Sequence, residues 1–158
     1  EECLKMLALH QPVAVDLRFI VAVLKVDNDL ERMGDFAKNI AKRALDLAHL
    51  QPVPVFPEFV VELPDLVRTM VRKSLDSLVT LDVDLARSII KMDKRVDEIN
   101  AKMYLEVRRL ITEDVTRTEA ALNLLSCSRH MERIADLSTN IAEDVLFMVE
   151  GKVMRHMG

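Results

Sequence analysis

From about residue 13 to about residue 50 the apolar side chains return every three or four positions, and no proline interrupts them. Leu17, Ile20, Val21, Leu24, Leu30, Met33, Ala37, Ile40, Ala44, Leu47 and Ala48 carry the pattern, which predicts one helix on the order of 50 Å long. Leu4, Leu7 and Ala8 mark a shorter helix before it, ending where Pro12 disfavours a helical residue at Gln11. Four of the 5 prolines, Pro52, Pro54, Pro57 and Pro64, fall within residues 51–64, which therefore read as a connector. Its Val55, Phe56, Phe59, Val60 and Val61 are apolar for a loop and predict that it lies against the helices. Three further periodic stretches follow, at about 66–81, 85–111 and 120–149. Asp82 and Asp84 supply N-cap chemistry for the second, the polar segment 112–118 marks a turn, and Gly151 stops the last. Connections this short predict antiparallel neighbours. The chain reads as all-α: a long helix with the end of another in residues 1–50, a connector at 51–64 and a three-helix bundle at 65–150.

The strongest internal signal is a repeat. Residues 31–41, ERMGDFAKNIA, return as residues 132–142, ERIADLSTNIA, with a constant offset of 101 and no gap. A chain that repeats itself in this way is built from two similar units. On a helix, Leu30, Met33, Gly34, Ala37, Ile40, Ala41 and Ala44 share one stripe, and Glu31 and Asp35 flank it, roughly 120° from its centre. Glu132 and Asp136 flank Met131, Ile134, Ala135, Ile141, Ala142 and Val145 in the same way. A third acid pair, Asp93 and Asp97, stands on the middle helix of the bundle. With that helix antiparallel to the last, four carboxylates would converge on one surface, and hard oxygen donors of this kind hold divalent or trivalent metal. A cation would offset the like-charge repulsion within each pair, about 0.2–0.5 kcal/mol on an isolated helix. The competing reading makes Arg32 with Asp35, and Arg133 with Asp136, surface ion pairs worth less than about 1 kcal/mol each. Both readings stand on the sequence.

Composition narrows the class. With 50% hydrophobic and 30% charged residues, 3 glycines and 4% aromatics, the chain fits a helical bundle. A net charge of −4 with no basic stripe argues against nucleic acid as a partner. Cys3 and Cys127 lack metal-ligand spacing, Cys127 lying on an apolar face, and no charged-then-apolar leader opens the sequence; the expectation is a reducing cytoplasm. Uncharged runs such as residues 19–24 are too short to cross a bilayer, so a membrane role would run through a partner. His10, His49, His130 and His156 stand apart, and the single Asp46/His49 spacing disfavours a di-iron carboxylate bundle. No glycine-rich phosphate loop and no nucleophile with its base are present, so no catalytic residue is named. Asn39 and Asn140 recur within the repeat, open to an outer-face hydrogen bond or a place near a metal.

The segments LERMGDFAKNIAKR and MERIADLSTNIAED, with LALHQPVAVDLRFI before the first, resemble the PhoU family of phosphate-signalling proteins. The likeness spans essentially the whole chain, and the repeat together with residues 11–18 makes it specific. It implies PhoU-like tandem three-helix bundles in a cytoplasmic protein, often a homodimer, that is not an enzyme. It further implies a restraint on the phosphate-starvation response, linking the ATPase subunit of a phosphate ABC transporter to a membrane sensor histidine kinase. Some members carry iron or zinc clusters, or bind magnesium or manganese, on Glu/Asp-x-x-x-Asp motifs, which here are Glu31/Asp35, Asp93/Asp97 and Glu132/Asp136. Family chains begin with a further helix and most of another, including the first-half counterpart of Asp93/Asp97. Either the sequence is a fragment or its first bundle is incomplete, and a metal at Glu31/Asp35 is expected to be less secure than one in the second half. Gly34 in the first copy faces Ala135 in the second, a small change that should be tolerated. The functions that compete with a binding regulator are a carboxylate-bound metalloprotein or metalloenzyme of unknown substrate and a metal-free helical adaptor.

Overall fold

The computed structural model describes residues 1–56 and 58–151, the side chain of Val15 excepted; Pro57 of the connector and His156 lie outside the described residues. Five α-helices follow one another: α1 (Glu2–His10), α2 (Ala14–Ala48), α3 (Leu63–Thr80), α4 (Val83–Glu113) and α5 (Thr118–Glu150). Among the described residues there is no strand, and none of the helices is long and apolar enough to cross a membrane.

Helix α5 is the centre of the molecule. It packs against α2, α3 and α4, and its middle is buried on nearly every side, from Met131, Ile134 and Ala135 through Leu137, Ile141 and Ala142 to Val145 and Leu146. Small residues let the neighbours approach closely. Ser138 and Thr139, also buried, donate their hydroxyls to the Ile134 and Ala135 carbonyls at 3.0 and 3.2 Å and so remain satisfied in an apolar setting. From α3 come Leu63, Val67 and Met70; from α4, Ile89, Val96, Ile99, Met103 and Leu110. Together they form one core with α5.

Helix α2 lies along the outer side of α5. Contacts from Lys25 to Asp144, Phe36 to His130 and Arg43 to Asn123 climb α2 while descending α5, so the pair is antiparallel. The buried positions of α2 are Ile20, Ala22, Val26, Asp29 and Met33, with Phe36, Ile40 and Leu47 half-buried. This corrects the stripe expected from periodicity: Leu30, Gly34, Ala37, Ala41 and Ala44 are exposed. The physical reason is that, among the described residues, α2 packs chiefly along one helix, α5, with lighter contact to α1. A seam spaced by threes and fours suffices for one partner helix, and the rest of the apolar face is left exposed among the described residues. Helix α1 buries no residue and sits on α2.

The helix ends follow local chemistry. Gln11 takes the left-handed conformation (φ 43°) at the end of α1, and Asp82 caps α4 by accepting a hydrogen bond from the Leu85 amide at 2.9 Å. Gly151 closes α5 at φ 66°, where a side chain would be strained. The connector turns helical earlier than its prolines suggest. A π-helical turn spans Glu58–Glu62 and runs directly into α3, with Pro64 in the first turn, where its missing N–H costs nothing. As its apolar content predicts, the connector is docked: Phe59 is buried, and the Lys102 ammonium sits 4.5 Å above the Phe56 ring while bonding Glu58 at 2.8 Å. Arg95 grips both Glu62 oxygens, at 2.6 and 2.8 Å.

Gly34 offers a direct test. A methyl group there would meet nothing within 4 Å, and the position is inside α2. Gly34→Ala should stabilise the fold by about 0.5–1 kcal/mol through helix propensity and a stiffer unfolded chain, read as a higher urea midpoint at unchanged slope.

Candidate functional site

Where α2, α4 and α5 meet, a cleft of about 480 Å³ opens to solvent. Helix α4 contributes Asp93, helix α5 contributes Arg129, Glu132, Arg133, Asp136 and Asn140, and helix α2 contributes Arg32. The acids are on the cleft because they flank the buried stripes of α4 and α5 instead of entering them. Glu132 is half-buried and Asp136 exposed. Burial holds the Glu132 carboxyl above its ordinary value; the Asp136 and Asp97 charges push it the same way, while Arg129 and Arg133 pull it down. Asp97 thus acts on Glu132 without lining the cleft.

The structure brings together Asp93, Glu132 and Asp136, with Asp97 in electrostatic reach. Glu31 and Asp35 are exposed on α2 and do not line this cleft. Three of the four carboxylates of α4 and α5, Asp93, Glu132 and Asp136, share the cleft and Asp97 does not line it; among the described residues no three acid, histidine or cysteine side chains are placed to hold one metal ion. The arginines are part of the same surface, which periodicity alone did not indicate. Arg32 does not turn to Asp35: it reaches back to Asp29 at 3.5 Å. Arg133 lies over the Phe36 ring with its guanidinium carbon 5.6 Å from the centroid, and His130 stacks on that ring at 5.7 Å. Burial, then the Arg133, Arg43 and Arg129 charges, hold His130 below its ordinary pKa, which favours the neutral imidazole. Cys127 is buried, and burial pushes its thiol up, away from the reactive thiolate. The arrangement is a mixed-charge recess, suited to complementary side chains or a small charged ligand, with no nucleophile set beside a base.

A chain with this duplicated α2/α5 seam can be compared with known proteins. The PhoU domain matches residues 1–44 and 60–145. The chain belongs to the PhoU family. A protein of Pseudomonas putida named "Phosphate-specific transport system accessory protein PhoU homolog" is 39% identical over the whole chain, which spans 62% of that relative's length. A namesake from Aquifex aeolicus is 38% identical over 98% of the chain and 69% of its own length. Among solved structures, PhoU from Pseudomonas aeruginosa superposes with a TM-score of 0.91 at 37% identity, covering 96% of this chain and 72% of that one. PhoU from Streptococcus pneumoniae gives 0.83 at 27% identity, covering 98% and 72%. The all-α, PhoU-like fold that the family resemblance implies is thereby established.

The raised Glu132 carboxyl has a definite sign. Its proton is held more tightly in the folded than in the unfolded chain, so this residue's contribution to stability falls as pH rises from the ordinary glutamate range through the folded value. In chelator-treated protein Glu132→Gln should be more stable than the parent at pH 7, with roughly 0.2–0.5 kcal/mol from the lost repulsion with Asp136 alone. The advantage should vanish near pH 4, where both forms are neutral, as followed by thermal melts across that range.

Proposed function

We propose that this PhoU-family chain is an accessory regulator of phosphate uptake that works by binding other proteins. The observation that carries the reading is the match, along the whole of this chain, to part of a relative named as a phosphate-specific transport system accessory protein. The chain spans less than two thirds of that relative, so the activity of the longer protein comes to it as part of this proposal. The partners that the family resemblance supplies are the ATPase subunit of a phosphate ABC transporter and a sensor histidine kinase, met in the cytoplasm, with the chain acting as a homodimer and not as an enzyme. The cleft of α2, α4 and α5 supports a docking role: three guanidinium groups and three carboxylates on one recess give a patterned electrostatic surface that selects partners and speeds their encounter. Isothermal titration of the purified chain with the ATPase subunit tests it. Arg129→Glu/Arg133→Glu should weaken binding by about tenfold or more, a loss of about 1.4 kcal/mol or greater. Absence of binding by the parent to both the ATPase subunit and the kinase's cytoplasmic portion would sink the proposal.

Metal on the acids of the second bundle is the finer reading, and the like-charge pressure on Glu132 from Asp136 and Asp97 favours it. Asp93, Asp97, Glu132 and Asp136 would hold an iron, zinc, manganese or magnesium ion only after side-chain movement, because they do not form a ready-made cage. An ion on Glu31 and Asp35 would need donors beyond those two exposed side chains. Elemental analysis of protein purified without chelator should find stoichiometric metal that Glu132→Ala/Asp136→Ala loses; equal traces in both would leave the acids as docking charges.

A further inference from the structure

Next to the cleft of α2, α4 and α5, along the α2/α5 seam, lies a smaller cavity of about 290 Å³, bounded by Lys25, Asn28 and Asp29 of α2 and Asn140, Glu143 and Asp144 of α5. Two of its carboxylates are out of solvent: Asp29 is 6% and Asp144 5% exposed. Their compensation is incomplete. Lys25 donates to Asp144 Oδ1 while remaining more than half exposed itself. Arg32 reaches Asp29 only at 3.5 Å, the limit of a hydrogen bond. Asp144 Oδ2 is buried with no hydrogen-bond partner among the described residues. Burial holds the Asp29 carboxyl above its usual range, and the Asp144 charge adds to this against the pull of Arg32 and Lys25.

Buried charges are ordinarily paired or bound to a cation, and leaving one oxygen orphaned is costly. The cavity has space for that cation with its water, since one water occupies about 30 Å³ of the liquid. Two carboxylates flanked by the amide side chains of Asn28 and Asn140 make an all-oxygen donor set. Small hard divalent ions are held in this way, through one or two carboxylates with retained water. Such a site does not need three acids around one point.

We propose that Asp29 and Asp144, with Asn28 and Asn140, form a site for one hydrated magnesium-like divalent cation that clasps α2 to α5. The site is separate from the Glu/Asp-x-x-x-Asp pairs, none of which lines this cavity, although Asn140 borders both recesses. It has no second copy. Shifted by the repeat offset, Asp29 corresponds to His130 and Asp144 to Arg43, neither of them a carboxylate. Lys25 is the ion's competitor for Asp144.

The test uses manganese as the probe, in a Glu31→Gln/Asp35→Asn/Asp93→Asn/Asp97→Asn/Glu132→Gln/Asp136→Asn background that removes the other candidate ligands. Bound ion is counted from the loss of the free-ion electron paramagnetic resonance signal. One manganese per chain is expected. At a hundredfold excess over its dissociation constant it should raise the melting midpoint by roughly 5–10 °C. Asp144→Asn, which keeps the side chain's shape, should abolish both effects with helicity unchanged by circular dichroism. Lys25→Met, which removes the competing ammonium, should bind tenfold tighter or better. Manganese bound equally by the Asp144→Asn chain, or a folded Lys25→Met chain with no gain in affinity, would overturn the site. Because no partner protein enters the measurement, failure here leaves the docking proposal untouched.

Discussion

The close packing of α5 against three other helices is the constraint on which the fold depends. A helix with neighbours on three sides keeps only a narrow polar stripe along its middle, here Arg129, Glu132, Arg133, Asp136 and Asn140; its other central positions alternate large apolar residues with Ala135, Ser138 and Ala142. The small residues are as necessary as the large ones. They let α2 approach from one side while α3 and α4 fill the others, and the hydroxyls among them bond their own backbone instead of searching for partners in the core. A volume change on this helix would be felt by every other long helix at once.

Charge then has few places to go. On α4 and α5 the acids that are not on the outer surface are pressed to the lips of the buried stripes, where burial and mutual repulsion act together. Glu132 is the clearest case, since its raised carboxyl reflects desolvation first and two neighbouring carboxylates second. The arginines beside it moderate that charge without removing it. A recess of this kind is held in tension by its own electrostatics, which is why adding a cation or a basic partner residue to it is favourable and adding an acid is not.

Much of this was legible in the sequence because it depends on local periodicity. The five helices follow from apolar spacing and from where proline and glycine fall, and the placement of Glu132, Asp136 and Asp93 on one surface follows from their offset from the stripe. What the sequence could not supply was the identity of the covered side. Periodicity shows that α2 has an apolar face, whereas which part of it is buried depends on having one partner helix instead of two; Ala37 and Ala44 are exposed for that reason alone. Side-chain pairing was equally hidden. Arg32 has an aspartate three residues away in either direction, and only the packing of α5 decides that Asp29, already half of a buried pair, is the one it meets. Asp29 and Asp144 lie far apart in the chain, and no spacing rule connects them.

The repeat explains the scaffold and also where the two ends of it part company. Met33 and Ile134 occupy equivalent places and are both buried near the crossing of α2 and α5, so an antiparallel pair of similar helices packs there by near-symmetry. Moving outward, the symmetry of shape persists while the symmetry of charge is lost. One end of the seam carries Asp29 and Asp144 beneath Lys25; the other carries Arg43, with its guanidinium on Asn123 at 3.4 Å, and a neutral His130 stacked on Phe36. Apolar packing at the centre constrains volume and tolerates little drift, but side chains at the ends of a two-helix seam need only be solvated or paired. A duplicated element thereby acquires an acidic end and a basic end without disturbing its core, and a partner docking along the seam would meet an oriented surface instead of a symmetric one.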